Sequence, residues 1–542
     1  MLLSNLDVMA TAPGGVARLR ELILTLAVQG KLVSQDPADE PASVLLQKIR
    51  AEKDRLMAEG KSKRDKPLAE IGEEEKPFEL PQGWEWVRLG SVLSLEYGAA
   101  LPEKERLPGS IPVYGSNGIV GFHTSALVSE PSLIVGRKGS VGAINISLVP
   151  FWPIDTSYFV TPPRGIELHF AFHLLRSLGL AKHDKATAIP GINRNDVYAE
   201  IVGLPPLAEQ SRIVTRVEEL MRLCDALEAK GRLEAAQHTQ LVSTLLGTLT
   251  VSTTPEELAD HWQRVAQHFD LLAGRPAAID ALEQTLLQLA VRGLLVPQDP
   301  TDEPASALLQ KIRAEKDRLI ATGQIKRDKP LPPITDEEKP FELPVGWEWV
   351  RLGALIELVS GQHLGPSEYV DGLAASLPYL TGPAEFGALS PEPTRSTHER
   401  RAVAICNDIL ITVKGSGVGK LNVVKHDEMA ISRQLMAIRP VLLNSEFFMI
   451  FLQTMSLYFQ AKSIGIAIPG IGREDVTYAE FGLPPLPEQS RIVTRVTALR
   501  RLCADLRQRL AERQSVQARL AEALVANNAQ TSTQQEDECH AA

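Results

Sequence analysis

The sequence predicts an α+β protein: two small α/β domains separated by a pair of long antiparallel coiled-coil helices, with an internal pseudo-two-fold repeat. Three observations carry this reading. The first is self-similarity. The block AVQGKLVSQDPADEPASVLLQKIRAEKDRL from Ala27 returns from Ala290 as AVRGLLVPQDPTDEPASALLQKIRAEKDRL, and each copy leads to an ELPxGWEWVRLG entrance. Trp84 and Trp347 mark an offset of 263 (347 − 84). The second block, AIPGINRNDVYAEIVGLPPLAEQSRIVTRV from Ala188, returns from Ala467 with an offset of 279 (489 − 210, from Gln489 and Gln210). Between the blocks, residues 91–187 and 354–466 share little, so the order is constant, variable, constant, twice over. Differences confined so sharply suggest one scaffold carrying two specificities.

The second observation is a heptad seam. After Pro205-Pro206 apolar residues fall at alternating four- and three-residue steps: Ile213, Val217, Leu220, Cys224 and Leu227, then Leu241 and Leu245. The other copy follows with Ile492, Val496, Leu499, Cys503, Leu506 and Leu510, then Leu520 and Leu524. Glu234/Arg513 and His238/Gln517 are polar seam positions of the kind that fix register. Neither helix can bury its stripe alone. The simplest partner is the other helix; the alternative is that each lies on its own domain.

The third observation is the texture of the variable segments. Short β-branched bursts such as Ser132-Leu133-Ile134-Val135 and Asp408-Ile409-Leu410-Ile411-Thr412-Val413 are bounded by Gly- and Pro-rich turns. In order, the expected parts are a helical region and linker (1–78), a first α/β domain (79–205) and a long helix (206–250). A repeat of the helical region (251–341), a second α/β domain (342–484), a second long helix (485–527) and a disordered polar tail (528–542) follow. The helices from Pro41 and Pro304 carry mixed-sign charge, which suits a solvated face or a protein contact better than a phosphate site.

Composition narrows the function. A chain of 542 residues with 44% hydrophobic and 23% charged content suits a globular protein of several domains. No apolar run approaches the length of a membrane span and no signal peptide is evident, so a cytoplasmic location is expected. The cysteines at 224, 406, 503 and 539 are too scattered for a zinc site or disulfide framework. A net charge of −10 counts against a simple nucleic-acid binder unless the acidic residues lie in linkers and partner-facing helices.

Each sheet burst leads into a glycine-rich basic loop, GRKGSVG from Gly136 and KGSGVGK from Lys414. Glycine admits close backbone approach to an anion, while Lys, Arg and Ser supply phosphate contacts. Arg137, Lys138, Ser140, Lys414, Ser416 and Lys420 are therefore candidate DNA contacts. So are Tyr114, Ser116 and Asn117 in one turn and Tyr379 in the other. Asn193, Arg194 and Arg473 complete the set, since Arg can fork onto guanine and Asn can pair with adenine.

No catalytic constellation accompanies them. KGSGVGKL fails the nucleotide P-loop pattern at its first Gly and after Lys420. Leu204-Pro205-Pro206-Leu207 lacks the polar and aromatic partners of an amino-methyltransferase turn, and the Glu-x-Lys at Glu337 and Lys339 has no strand around it.

The repeated GLPPLxEQSRIVTRV strings, the ELPxGWEWVRLG entrances and the loops GRKGSVG and VKGSGVGKLNVV resemble those of type I restriction–modification specificity subunits. The resemblance covers the chain except 251–267 and the residues after Asn527. It implies that each variable domain is a target recognition domain reading half of a split double-stranded DNA site, with no catalytic centre and no cofactor of its own. It also implies two methyltransferase (modification) subunits, meeting this chain at Glu209-Gln210 and Glu488-Gln489, and ATP-dependent restriction/translocase subunits. S-adenosylmethionine, ATP and Mg are then expected on those partners.

Overall fold

The computed structural model describes residues 12–59, 68–184, 191–252, 254–327, 329–373, 376–415, 417–463 and 470–530. Ser416 and the basic stretch Lys61–Lys66 lie outside them, as does the expected tail beyond Gln530. The chain divides into two compact units, Met1–Ala235 with Arg513–Ala542, and Ala236–Glu512.

The first unit opens with helices α1 (Gly15–Val28) and α2 (Ala42–Ala58). Its head begins at β1 (Glu85–Arg88) and the short α3 (Leu89–Val92), and runs through β2 (Glu96–Tyr97), β3 (Ile111–Gly115), β4 (Gly118–His123) and β5 (Ser132–Gly136). Strands β6 (Ile144–Ser147), β7 (Trp152–Pro153) and β8 (Ser157–Val160), helices α4 (Leu168–Ser177) and α5 (Arg194–Tyr198), and β9 (Ile201–Leu204) complete it. Strands β1 and β9 pair antiparallel, closing the head where it meets the frame. Inside, an antiparallel sheet of order β2-β8-β5-β6 stands beside a smaller sheet of order β4-β3-β7. All of β5 is buried, and its alternate residues serve different cores. Leu133 and Val135 join the helical core with Phe170 and Leu174, while Ile134 packs with Tyr114, Val128 and Phe151.

Helix α6 (Leu207–Val251) leaves the first unit and ends in the second. The second unit adds α7 (Pro255–Gln267), α8 (Phe269–Leu272), α9 (Pro276–Val291) and α10 (Ala305–Ala321). Its head enters through β10 (Glu348–Arg351) and α11 (Leu352–Leu355), followed by β11 (Ile356–Ser360), β12 (Tyr369–Asp371), β13 (Leu377–Leu380), β14 (Arg395–Thr397) and β15 (Val403–Ile405). Next come β16 (Ile409–Thr412), β17 (Leu421–Val423), β18 (Glu428–Ile431) and β19 (Leu435–Pro440). Helices α12 (Ser445–Thr454), α13 (Ser456–Lys462) and α14 (Arg473–Thr477), strand β20 (Glu480–Leu483) and helix α15 (Leu486–Gln530) complete the described residues. Sheet β11-β19-β16-β17 repeats that of the first head strand for strand, and β10 pairs with β20 as β1 does with β9. The second sheet, β12-β14-β13-β18-β15, is larger, with β12 and β15 as its outer strands. The extra length of the second variable segment goes there.

The structure corrects the heptad reading in its second half. Leu241 is 51% exposed and Leu520 48%, whereas Val242, Leu246, Leu249 and Ala521 are buried. The true stripe has moved on by one residue. A 3.6-residue helix drifts about 20° per heptad, so after four heptads the position 29 residues on, rather than 28, faces the core. Glu234 and Arg513 are consequently exposed, and His238 bonds the Leu271 carbonyl at 2.8 Å rather than a seam partner.

Each stripe is covered by a short frame helix together with the far end of the other long helix. Ile213, Val217 and Cys224 share a core with Leu19 and Ile23 of α1 and with Ala521. Val242, Leu246 and Leu249 share one with Ile279, Leu282 and Leu286 of α9 and with Cys503 and Leu510. Residues 255–267, outside the repeat, form an amphipathic helix capped by the Thr254 hydroxyl, and Leu258 and Val265 extend this second core. Helix α15 continues to Gln530, so residues 528–530 are helical rather than part of a loose tail.

Candidate nucleic-acid interface

The glycine-rich loops occupy the same place in both heads. In the first, β5 ends at Gly136, where a Cβ would fall 2.1 Å from the Ser140 carbonyl, so only glycine allows the tight return. Gly139 at the tip has φ +80° and open space around it, and Gly415 in the second head has φ +90° and the same openness. Left-handed backbone favours glycine, and an open tip lets a ligand approach the main chain. Each loop is tied to the segment before the next short helix. Lys138 bridges Gly191 and Ile192 N–H donates to the Arg137 carbonyl at 3.1 Å, just as Lys414 bridges Gly470 and Ile471 N–H donates to the Val413 carbonyl at 2.9 Å.

In the first head this arrangement gathers a guanidinium–aromatic cluster. Arg137 Cζ lies 5.0 Å from the Tyr97 ring centroid and 5.7 Å from that of Tyr158. Arg194 Cζ lies 5.4 Å from Tyr97 and 5.9 Å from Tyr198. Tyr97 meets Tyr158 edge-on at 5.0 Å, and Arg137 donates to the Asp155 carbonyl at 3.0 Å. Lys138, Ser140, Asn117 and Asn193 are exposed. The Asn193 side chain also caps α5, accepting from Asn195 N–H at 2.9 Å. The Ser116 hydroxyl is spent inside the head, donating to the Lys138 and Thr156 carbonyls and so fastening the loop. Tyr97, half exposed, was not among the sequence candidates. Its signal was faint: an aromatic in the first short strand of the variable segment, where the other copy has Ser360.

The second head differs. Lys414 and Lys420 are exposed at the loop. Arg473 is turned inward, donating to the Leu358 carbonyl at 2.6 Å. Two expected contacts need correction, because Tyr114 and Tyr379 are core residues. Tyr114 meets Phe151 edge-on, and Tyr379 packs on Tyr369, with burial raising its hydroxyl's pKa. An aromatic in a short polar turn had suggested a surface ring, but β3 and β13 carry both side chains inward.

The residues expected to meet modification subunits also have an internal role. Glu209, Gln210, Glu488 and Gln489 are no more than 1% exposed. Glu209 accepts from Trp84 Nε1 at 2.9 Å and Gln35 Nε2 at 3.0 Å; Glu488 accepts from Trp347 Nε1 at 3.0 Å and Gln298 Nε2 at 3.1 Å. Burial pushes both carboxyls above the ordinary range, against the pull of these donors. Gln210 accepts from Glu167 N–H and Gln489 from Asn444 N–H, so each glutamine holds the start of α4 or α12. One turn on, Arg212 pairs with Asp39 and Arg491 with Asp302, each at 2.6 Å. The four residues lock helix, entrance strand and head together.

Among the described residues no cluster of three or more His, Cys, Asp or Glu is placed to hold a metal ion, and no helix is long and apolar enough to cross a membrane.

Two unlike heads stand on one duplicated frame, the layout of a duplicated two-domain protein. The chain belongs to the family of type I restriction modification DNA specificity domains, which matches residues 81–238 and 344–513, one stretch per head. It is a specificity subunit, a non-catalytic component of such a system. It is 36% identical to the EcoAI specificity subunit of Escherichia coli and 34% identical to the EcoEI subunit, covering 94% of this chain and 93% of the relative in each case. A solved structure from work on complex assembly and conformational transition of the type I R-M system aligns over 84% of this chain and 99% of its own, at 24% identity and a TM-score of 0.49.

Proposed function

We propose that each head reads its own half of a split double-stranded DNA target, while the duplicated frame docks two modification subunits. The observation that carries this is the repeated loop geometry with unlike side chains: the same bridge at Lys138–Gly191 and Lys414–Gly470, flanked by Arg137 in one head and Val413 in the other. A shared scaffold with different contacts is what two half-sites of different sequence require.

Exposed leucines at matching frame positions favour two identical partners. Leu207 and Leu223 on α6 correspond to Leu486 and Leu502 on α15, and all four are exposed. In this reading S-adenosylmethionine, ATP and Mg serve the partner subunits, the restriction/translocase subunits join through the complex, and the protein works in the cytoplasm. The net charge of −10 makes DNA affinity depend on partners that complete a basic cleft.

The test is selection from a library of split duplexes by the full chain with its modification partner, at several salt concentrations. A bipartite consensus is expected, and replacing residues 91–187 with another head should change one half only. Sequence-blind binding, or a change in both halves, would refute the proposal. A gel shift of the free chain should be markedly weaker than that of the complex.

A further inference from the structure

The geometry points to the Arg137–Tyr97–Arg194 stack as a guanine-reading element of the first head, one with no counterpart in the second; this rests on the two-headed DNA reading above. Three facts converge on it. The Tyr97 ring, which both guanidiniums approach, is 50% exposed, although a tyrosine serving only the core would be buried. Both guanidiniums lie within cation–π range of that ring and of a second tyrosine, which fixes them before any ligand arrives. Among the described residues neither arginine has a carboxylate partner, whereas Arg88, Arg212, Arg351 and Arg491 of the frame each do. In an acidic protein, two stacked cations left without an acid partner, beside a glycine tip open to solvent, are placed for an external acceptor.

The acceptor chemistry follows from the donors. A planar guanidinium presents two parallel N–H groups, which match O6 and N7 of guanine in the major groove. Arg194, with none of its N–H groups spent on a described hydrogen bond, is the reader. Arg137, anchored by the Asp155 carbonyl at 3.0 Å, is a positioning residue that steadies the Tyr97 ring. Phosphate binding alone would not need this construction, since exposed Lys138 suffices as a point charge.

The second head has dismantled each part. Ser360 stands at the place of Tyr97, Met436 pairs with it where Tyr158 pairs with Tyr97, and Val413 replaces Arg137. Arg473, the equivalent of Arg194, spends its guanidinium on Leu358 and Ser360. A guanine read by this element is therefore confined to one half-site.

The experiment compares base preferences of the full chain with its modification partner, wild type against Arg194→Lys, Tyr97→Phe and Tyr97→Ser. Arg194→Lys keeps the charge but loses the fork. It should reduce discrimination at one G·C position of one half-site by about tenfold or more, leave the other half-site untouched and keep the salt dependence. Tyr97→Phe should preserve the preference and Tyr97→Ser should weaken it at the same position. An unchanged profile for Arg194→Lys, or a uniform loss at every position, overturns the inference. So does a selected half-site for the first head that contains no guanine. Failure of the wild type to select any split sequence would instead refute the two-headed reading. Matching melting temperatures, required before selection, separate misfolding from lost contact.

Discussion

The two heads share a sheet and differ in how they fill it. At the β5–β8 edge of the first, the Ser132 and Thr161 hydroxyls bond each other at 2.7 Å. At the same rung of the second, Asp408 and Arg439 form a two-pronged ion pair, with N–O distances of 2.9 and 2.8 Å, and Arg439 reaches Glu357 as well. In α4, His173 is buried where α12 has Ile450. Around the glycine-rich loop, Tyr97, Arg137 and Tyr158 give way to Ser360, Val413 and Met436. Against this, the frame contacts through Glu209 and Glu488 differ by no more than about 0.1 Å. The near-identical sequence of the two frame copies gives the same bonds in each. The heads need only keep their sheets, by whichever polar pair satisfies the strand end.

That contrast can be broken most sharply at Asp408. Only 1% exposed, it also accepts from Ile405 N–H, so Asp408→Ala strips a buried charge network and should destabilise the second head by about 3–5 kcal/mol. Hydrogen exchange along β16 and β19 reads this directly, with the first head unchanged.

His173 makes the first head sensitive to acid. Burial, aided by Arg176 and His169, holds its pKa down to about 4 from 6.5, and its Nδ1 has no hydrogen-bond partner among the described residues. The folded state therefore resists a proton that the unfolded chain accepts. Stability is full above pH 6.5 and falls as pH drops toward 4, by up to about 3 kcal/mol. His173→Ile, copying Ile450, should remove that slope. Equal acid sensitivity of variant and wild type, followed by exchange in α4, would show that the histidine is not the cause.

In the frame, Glu209→Gln keeps the shape but turns one acceptor into a donor facing Trp84 or Gln35. A loss of about 1–3 kcal/mol is expected, and Glu488→Gln should cost the second unit about as much. Unequal costs in urea titrations would mean that the two frame copies are not equivalent. The smallest effect should be Ser132→Ala, at about 1–2 kcal/mol, since neutral hydroxyl bonds to Thr161 and to the Glu130 carbonyl are lost; a loss as large as that of Asp408→Ala would erase the distinction between the heads.

Much of this architecture was legible in the sequence because duplication made it so. Two offsets located the frames and the heads, and apolar spacing after each double proline located the long helices. The loops at Gly136 and Lys414 were visible because glycine beside basic residues recurs at matching places. Other features were not legible. Glu209, Gln210, Glu488 and Gln489 are polar residues in a conserved-looking string, which suits a surface contact and a buried lock equally; only packing against Trp84 and Trp347 distinguishes them. Tyr114 and Tyr379 failed for the converse reason, since a turn-like string says nothing about which way its strand faces.

The sequence by itself determined the doubling, the long helices and the strand bursts, because these depend on local spacing and on self-similarity that folding does not alter. Only the tertiary structure decided which face of each helix is buried beyond its fourth heptad, because a straight helix turns every 3.6 residues while the eye reads sevens. It alone brought Tyr97, Arg137 and Arg194 together. They lie on three separate segments, and no pattern along a chain records which loops a sheet will set side by side.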